Sequence, residues 1–362
     1  MAGGAQVERW STEHRTDRSP ASTAATRSPG FRFLDGERLI RLGEGALAEA
    51  RELLAERGFE GYALLSTERA LSGAPEGLAA DAAAVLTVAP GAVPELSAGL
   101  LGPAGERPLV GFGGGRVVDV AKAVGAASGA QVAALPTTLA GSAFTPFHRL
   151  PEGVAGVQAK RPALVICQPD AMVPPDAPYR AATAMNALAH AMEALYAPMA
   201  NPVTEEAALR AARLFWEALP LDSPPAPELA EAAFLAGYAV GNAGLAVHHA
   251  VCQTIVRTLG TPHAQTNAVI LPHSARLMAW RAPDALAKLA VALGDPAGDP
   301  EAAAGQAAKL AARSGHVRLS TLGVVEDQLP AVVAAALGHP GLGATPGPPG
   351  EEELLGLLRG AL

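Results

Sequence analysis

The chain has 362 residues, 49% of them hydrophobic and 17% charged, with a formal net charge of -8. That length allows two domains and a large core, while the acidic balance argues against nucleic acid or an anionic membrane as partner, since both need basic patches. Two cysteines, Cys167 and Cys252, are too few for a disulfide scaffold and fit a reducing cytoplasm.

Residues 1–30 are rich in Ser, Thr and Arg, include Glu8, Glu13 and Asp17, and lead into no apolar run. A disordered tail is expected there, not a secretory signal. From Phe31 to Asp176 short apolar runs alternate with helical ones. A helix over Ala46–Arg57 precedes expected strands at Tyr62–Leu65, Ala83–Val88, Pro108–Phe112, Val132–Leu135 and Ala163–Ile166, with a helix over Val117–Ala127. This order predicts a mostly parallel sheet covered on both faces.

Beyond Pro174-Pro175 the pattern becomes helical. Tyr179–Leu219, Pro227–Thr258 and His273–Leu293 read as long Ala-rich helices, followed by Glu301–Ser314, Glu326–Leu337 and Glu351–Leu362. The fold class is therefore α/β: a Rossmann-like parallel sheet domain over residues 31–176, then an all-helical domain over 177–362. The apolar run Ala232–Val247 contains Gly, Asn and Tyr and is read as a buried helix that does not span a membrane.

Gly113-Gly114-Gly115 falls between a strand and a helix. Glycines there let backbone N–H groups approach a diphosphate, and the helix offers its positive end. Asp119 and Lys122 lie in the first turns of that helix, and Arg116 directly follows the glycines. Thr137, Thr138 and Ser142 end the next strand, where ligands bind in open parallel sheets. Ser66-Thr67 end an earlier strand where an acidic residue often holds the ribose. Uncharged hydroxyls there admit NADPH as well as NADH.

In the helical half, Asn186 and His190 stand four residues apart on one helix face, His249 and Gln253 repeat the spacing, and His263 follows a turn at Gly260–Pro262. Three converging imidazoles would bind Zn2+ or Fe2+. Asn186 stands where such a site places a carboxylate, which lowers the expected affinity. The same residues would also suit a metal-free hydrogen-bonding wall for a carboxylate substrate. His248 is a further candidate proton donor.

GFGGGRVVDVAKAVG, ALPTTLAGSAFTP, AMNALAHAMEALYAPMANP and VHHAVCQTIVRTLGTPHAQTNAVILPH occur in this order. Together they resemble the iron-containing (group III) alcohol dehydrogenases, and among them the maleylacetate reductase branch, over residues 31 to 300. The resemblance implies NAD(H) or NADP(H) on Gly113–Gly115 and the Thr137-Thr138 turn, and a metal or substrate site at Asn186, His190, His249 and His263. It also implies reduction of a small unsaturated keto acid and a homodimer. The chain departs from the family at Gln253, where a histidine is usual and which cannot serve as a general acid. It departs again at Ala143 in place of Glu, at Arg116 in place of Ser, and in a short stretch over His148–Ala163. A non-redox cyclase, isomerase or lyase on the dehydroquinate synthase-like version of this fold, a metal-dependent alcohol dehydrogenase, and a nucleotide-binding scaffold are the alternatives.

Overall fold

The computed structural model describes residues 30–362, so the tail expected over residues 1–30 lies outside the described residues except for Gly30. The chain opens with a hairpin of β1 (Gly30–Asp35) and β2 (Arg38–Gly43), turning at Gly36 with φ +62°. Then come α1 (Ala50–Glu56), β3 (Ala63–Ser66), α2 (Glu68–Leu71), β4 (Ala84–Thr87), α3 (Val93–Ala104), β5 (Leu109–Gly113), α4 (Gly115–Ser128), β6 (Val132–Pro136) and β7 (Leu164–Cys167). β3, β5, β6 and β7 are buried along their whole length, as strands covered on both faces must be.

The sheet order is β1-β2-β7-β6-β5-β3-β4, parallel except for the β1–β2 pair. β4 lies on one side of β3 and β5 on the other. The connection therefore reverses direction at β3, and the crevice beyond the carboxyl ends of β3 and β5 is the place for a ligand.

The rest is helical: α5 (Pro169–Met172), α6 (Ala177–Ala194), α7 (Pro202–Ala218), α8 (Ala226–Ala243), α9 (Val247–Leu259), α10 (His263–Arg281), α11 (Pro283–Ala292), α12 (Pro300–Ala311), α13 (Leu329–Leu337), α14 (Pro340–Gly343) and α15 (Glu351–Ala361). Each long helix expected from periodicity is broken in two. Tyr179–Leu219 splits because Asn201 caps α7, its side chain accepting from the Val203 and Thr204 amides while Thr204 Oγ1 accepts from the Asn201 amide. Pro227–Thr258 splits at Gly244, whose φ is +109°. The third helix starts at His263 rather than His273 and continues through Pro272 to Arg281.

One core joins the two halves. Ile40 and Leu42 of β2 and Val165 and Cys167 of β7 pack in the same cluster as the buried faces of α6, α8, α9 and α10. The hairpin reinforces this junction, with Phe31 and Phe33 against Phe234 and Tyr238 of α8 at ring separations of 5.4 and 5.9 Å. Among the described residues no single helix is long and apolar enough to cross a membrane, and α8 and α9, which would qualify only as a pair, meet at 100°.

Candidate active site

The sheet wall of the crevice is made of backbone. Gly114 caps α4 immediately after β5. A Cβ at Gly114 would stand 3.1 Å from Thr138 Cγ2, and one at Gly113 would stand 2.8 Å from Val117 Cγ2. Side chains at these positions would fill the cradle between β5, α4 and the loop after β6. The Thr137 amide donates to the Gly113 carbonyl at 2.9 Å, which keeps that loop beside the glycines. The first turn of α4 contains no acidic residue, so its amides and positive dipole end stay available to an anion. A nicotinamide dinucleotide fits this cradle through its diphosphate.

Beneath the cradle Lys122 is fully buried. Its ammonium pairs with Asp119 at 2.8 Å and donates to the carbonyls of Ser142 (2.9 Å) and Phe147 (2.7 Å). Ser142 Oγ in turn donates to Asp119 Oδ1 at 2.5 Å. Asp119 and Ser142 therefore sit at the crevice but spend polar atoms on each other and on Lys122. They hold the loop after β6 to α4. Burial pushes the lysine pKa down and Asp119 pushes it back up. Ser66 does not join the site: it is fully buried, and its hydroxyl donates to the Phe112 carbonyl at 2.7 Å, tying β3 to β5. The expected ribose contact at Ser66 is corrected on that ground. Thr67 caps α2 by accepting from the Ala70 amide at 3.1 Å.

The opposite wall is made of side chains from α6, α9 and α10. Asn186 donates through Nδ2 to the Ala140 carbonyl at 2.7 Å, leaving its buried Oδ1 without a partner. A carboxylate could not make that bond, which is a physical reason for an amide here. Gly141 follows with φ +77°, and a Cβ there would stand 2.9 Å from His190 Nδ1. On its other side Gly237 of α8 approaches so closely that a Cβ would meet the Gly141 carbonyl at 2.6 Å. The loop after β6 is thus clamped between His190 and α8.

The rings of His190 and His249 stack at 4.6 Å with planes 10° apart. Burial, then the charges of His249, His248, His263 and Lys122, drive the His190 pKa well below its ordinary value, so this ring is neutral. His249 is held by Glu193, which is completely buried. Glu193 Oε2 accepts from His249 Nδ1 at 2.6 Å and Oε1 accepts from the His249 amide at 3.1 Å. Burial alone would raise the Glu193 pKa, but the charge and hydrogen bonds of His249 outweigh it, and the net shift is downward. The carboxylate is ionised and fixes the imidazole through Nδ1. His249 Nε2 is left buried with no partner among the described residues. A carboxylate-oriented imidazole with one free nitrogen is the arrangement for moving a proton. His263 begins α10, its ring exposed to solvent and its carbonyl accepting from Asn267 Nδ2 at 2.7 Å.

His248 is not part of this wall. It is fully buried, with Nδ1 2.8 Å from Ser274 Oγ and Nε2 2.9 Å from Asn267 Oδ1. Burial and then His249 lower its pKa to about 3. Both ring nitrogens are satisfied, so the expected role as a proton donor is corrected to a core role. Gln253, one turn beyond His249, meets His339 from the far end of the chain, with Oε1 and Nε2 3.2 Å apart.

The donor set as arranged does not fit a metal ion. Among the described residues no three His, Cys, Asp or Glu side chains could hold one. Imidazole lone pairs lie in the ring plane, and two rings only 10° from parallel do not direct them to one point at about 2.0–2.1 Å. The single buried carboxylate here, Glu193, is spent on His249 Nδ1.

Glu193 and Lys122 were the residues whose roles local reasoning missed. Lys122 passes for a solvated helical residue. The available signal was burial by context: each is a charge in an otherwise apolar helical segment with one polar neighbour three residues earlier, His190 before Glu193 in AHAMEALY and Asp119 before Lys122 in VVDVAKAVG.

The Fe-containing alcohol dehydrogenase family model, C-terminal part, matches residues 180–362. Maleylacetate reductase 1 of Rhodococcus opacus is 32% identical over 326 residues, covering 84% of this chain and 89% of its own length. Maleylacetate reductase of Sphingobium indicum is 33% identical over 268 residues, covering 70% of this chain and 73% of its own. The crystal structure of maleylacetate reductase from Rhizobium sp. strain MTP-10005 is similar with a TM-score of 0.77 at 30% identity, over 93% of this chain and 99% of that one.

Proposed function

We propose, from the premise that this chain belongs to the iron-containing alcohol dehydrogenase family, that it is an NAD(P)H-dependent reductase of a small unsaturated keto acid of the maleylacetate type. The observation that carries this reading is the Glu193–His249 pair, which fixes the ring through Nδ1 and leaves Nε2 buried without a partner among the described residues. The maleylacetate reductases among its relatives support the substrate class.

Bound nicotinamide supplies the hydride. The chain's residues do the rest. Gly113–Gly115, Thr137 and Thr138 bind the diphosphate, while Asp119 and Ser142 fix the loop that bounds the nicotinamide. His249, oriented by Glu193, holds a proton on Nε2 and delivers it to the substrate oxygen as hydride arrives at carbon. His190, neutral and stacked on that ring, shields it from water, and His263 borders the entrance. Asn186 sets the depth of the pocket by fastening α6 to Ala140. No step is assigned to a metal, although the family is defined by iron-containing members.

We extend the reading to a division of labour between residues 31–176 and 177–362, to a cytoplasmic location and to a homodimer. The test is direct: nicotinamide absorbance is followed after maleylacetate is added to the protein with NADH or NADPH. Loss of absorbance that depends on both protein and keto acid is expected. Cofactor that stays reduced across unsaturated keto acids would sink the proposal.

A further inference from the structure

On α9, His249, Gln253 and Arg257 recur at intervals of four residues and share one face. His339 reaches this face from the segment leading into α14. Its Nδ1 accepts from the Gly341 amide at 3.0 Å, so its hydrogen sits on Nε2 and points at Gln253 Oε1, 3.2 Å away. The glutamine carbonyl is thereby occupied, and its NH2 remains as a donor. Arg257 follows one turn on, exposed. Arg149, also exposed, comes from the chain just after Phe147, whose carbonyl is held by Lys122. The two guanidiniums lie near enough to repel one another, and both press on His339. Among the described residues neither has a hydrogen bond or ion pair. Two cations without a partner among the described residues, and an oriented amide on the helix face that also carries His249, make an anion site.

We propose that Gln253, Arg257 and Arg149 bind a carboxylate of the substrate, and that His339 is the positioning residue that aims the Gln253 amide. This deepens the reductase reading and rests on it. The dimensions agree. Four helical residues rise about 6 Å, so a keto acid of roughly four to six carbons spans from His249 to Gln253, and Arg257, about 12 Å along the helix from His249, meets its far carboxylate with a side chain turned back along α9. The departure at Gln253 then has a function: a hydrogen-bond donor replaces a titrating group, and the site binds where a histidine would exchange protons.

Adipate, a saturated dicarboxylate that cannot be reduced, is the probe, titrated calorimetrically into the full chain with NADPH present. Adipate is expected to bind and dimethyl adipate is not. Arg257→Gln and Arg149→Gln should each weaken adipate at least about tenfold while NADPH affinity holds. His339→Ala should raise the adipate Kd and the keto-acid KM with kcat unchanged, and His339→Gln, which can still donate to Gln253, should restore both. The proposal is overturned if adipate binds the arginine variants as well as the parent, if its diester binds equally, or if NADPH affinity falls instead. Because binding is read without turnover, a chain that binds adipate at these residues yet oxidises no cofactor would refute the reductase reading and leave only the carboxylate site standing.

Discussion

On the sheet wall of the cleft, three consecutive residues, Gly113, Gly114 and Gly115, form the cradle through backbone alone, and the loop at Thr137-Thr138 completes it from the adjacent strand. On the helix wall, Asn186, His190, Glu193 and His249 come from α6 and α9, and Gln253 meets a residue from beyond α13. The first wall presents fixed dipoles to a ligand, with its one ion pair, Lys122–Asp119, turned to holding the loop after β6. The second places an ionised carboxylate and several imidazoles where water is excluded, so its chemistry depends on contacts made at long range. Cofactor binding and the proposed proton transfer are therefore separable in this molecule.

His249→Ala should break the helix wall alone. Turnover is expected to fall by about 10²–10⁴, with NADPH affinity unchanged in a fluorescence titration. Asn186→Asp should cost about 1–3 kcal/mol, because a carboxylate replaces the buried donor to the Ala140 carbonyl. Chemical denaturation reads this, and an unchanged or raised stability would mean that the amide bond is not what holds α6 to the loop. Gly115→Asp should break the sheet wall alone. A carboxylate at the start of α4 suits the helix dipole but repels a diphosphate, so cofactor affinity should drop at least about tenfold with no loss of thermal stability.

The smallest effect sharpens the contrast between neighbouring histidines. The pKa of His248 falls from 6.5 to about 3 on folding. The unfolded chain takes up this proton first, so stability is complete above 6.5 and declines as pH falls toward 3. The denaturation midpoint should therefore drop between pH 7 and pH 5, and His248→Asn should flatten that slope.

The alternating strands and the glycine turn were legible because they are local: period, punctuation and the strand–glycine–helix order lie within a short stretch of chain. The β1–β2 hairpin was not, since Arg38 and Arg41 make RLIRLG look polar. Both are buried in the fold, Arg38 on Asp35 and the Phe144 carbonyl, Arg41 on Glu49. His248 and His249 are adjacent and carry the same local signal. Only Ser274 and Asn267 on one side, and Glu193 on the other, distinguish a ring with both nitrogens satisfied from one with Nε2 left over. The helix breaks at Asn201 and Gly244 were readable in principle, but Ala-rich periodicity on either side masked them.

The central claim is that the Glu193–His249 pair moves the proton in a nicotinamide-dependent reduction without a metal. The measurement that tests it is maleylacetate-dependent oxidation of NADH or NADPH by protein dialysed against a chelator, with bound metal quantified in the same sample. Turnover that persists when metal is far below one ion per chain, and that Glu193→Gln reduces, is the predicted result. Turnover abolished by the chelator and restored by Fe2+ or Zn2+ would contradict it.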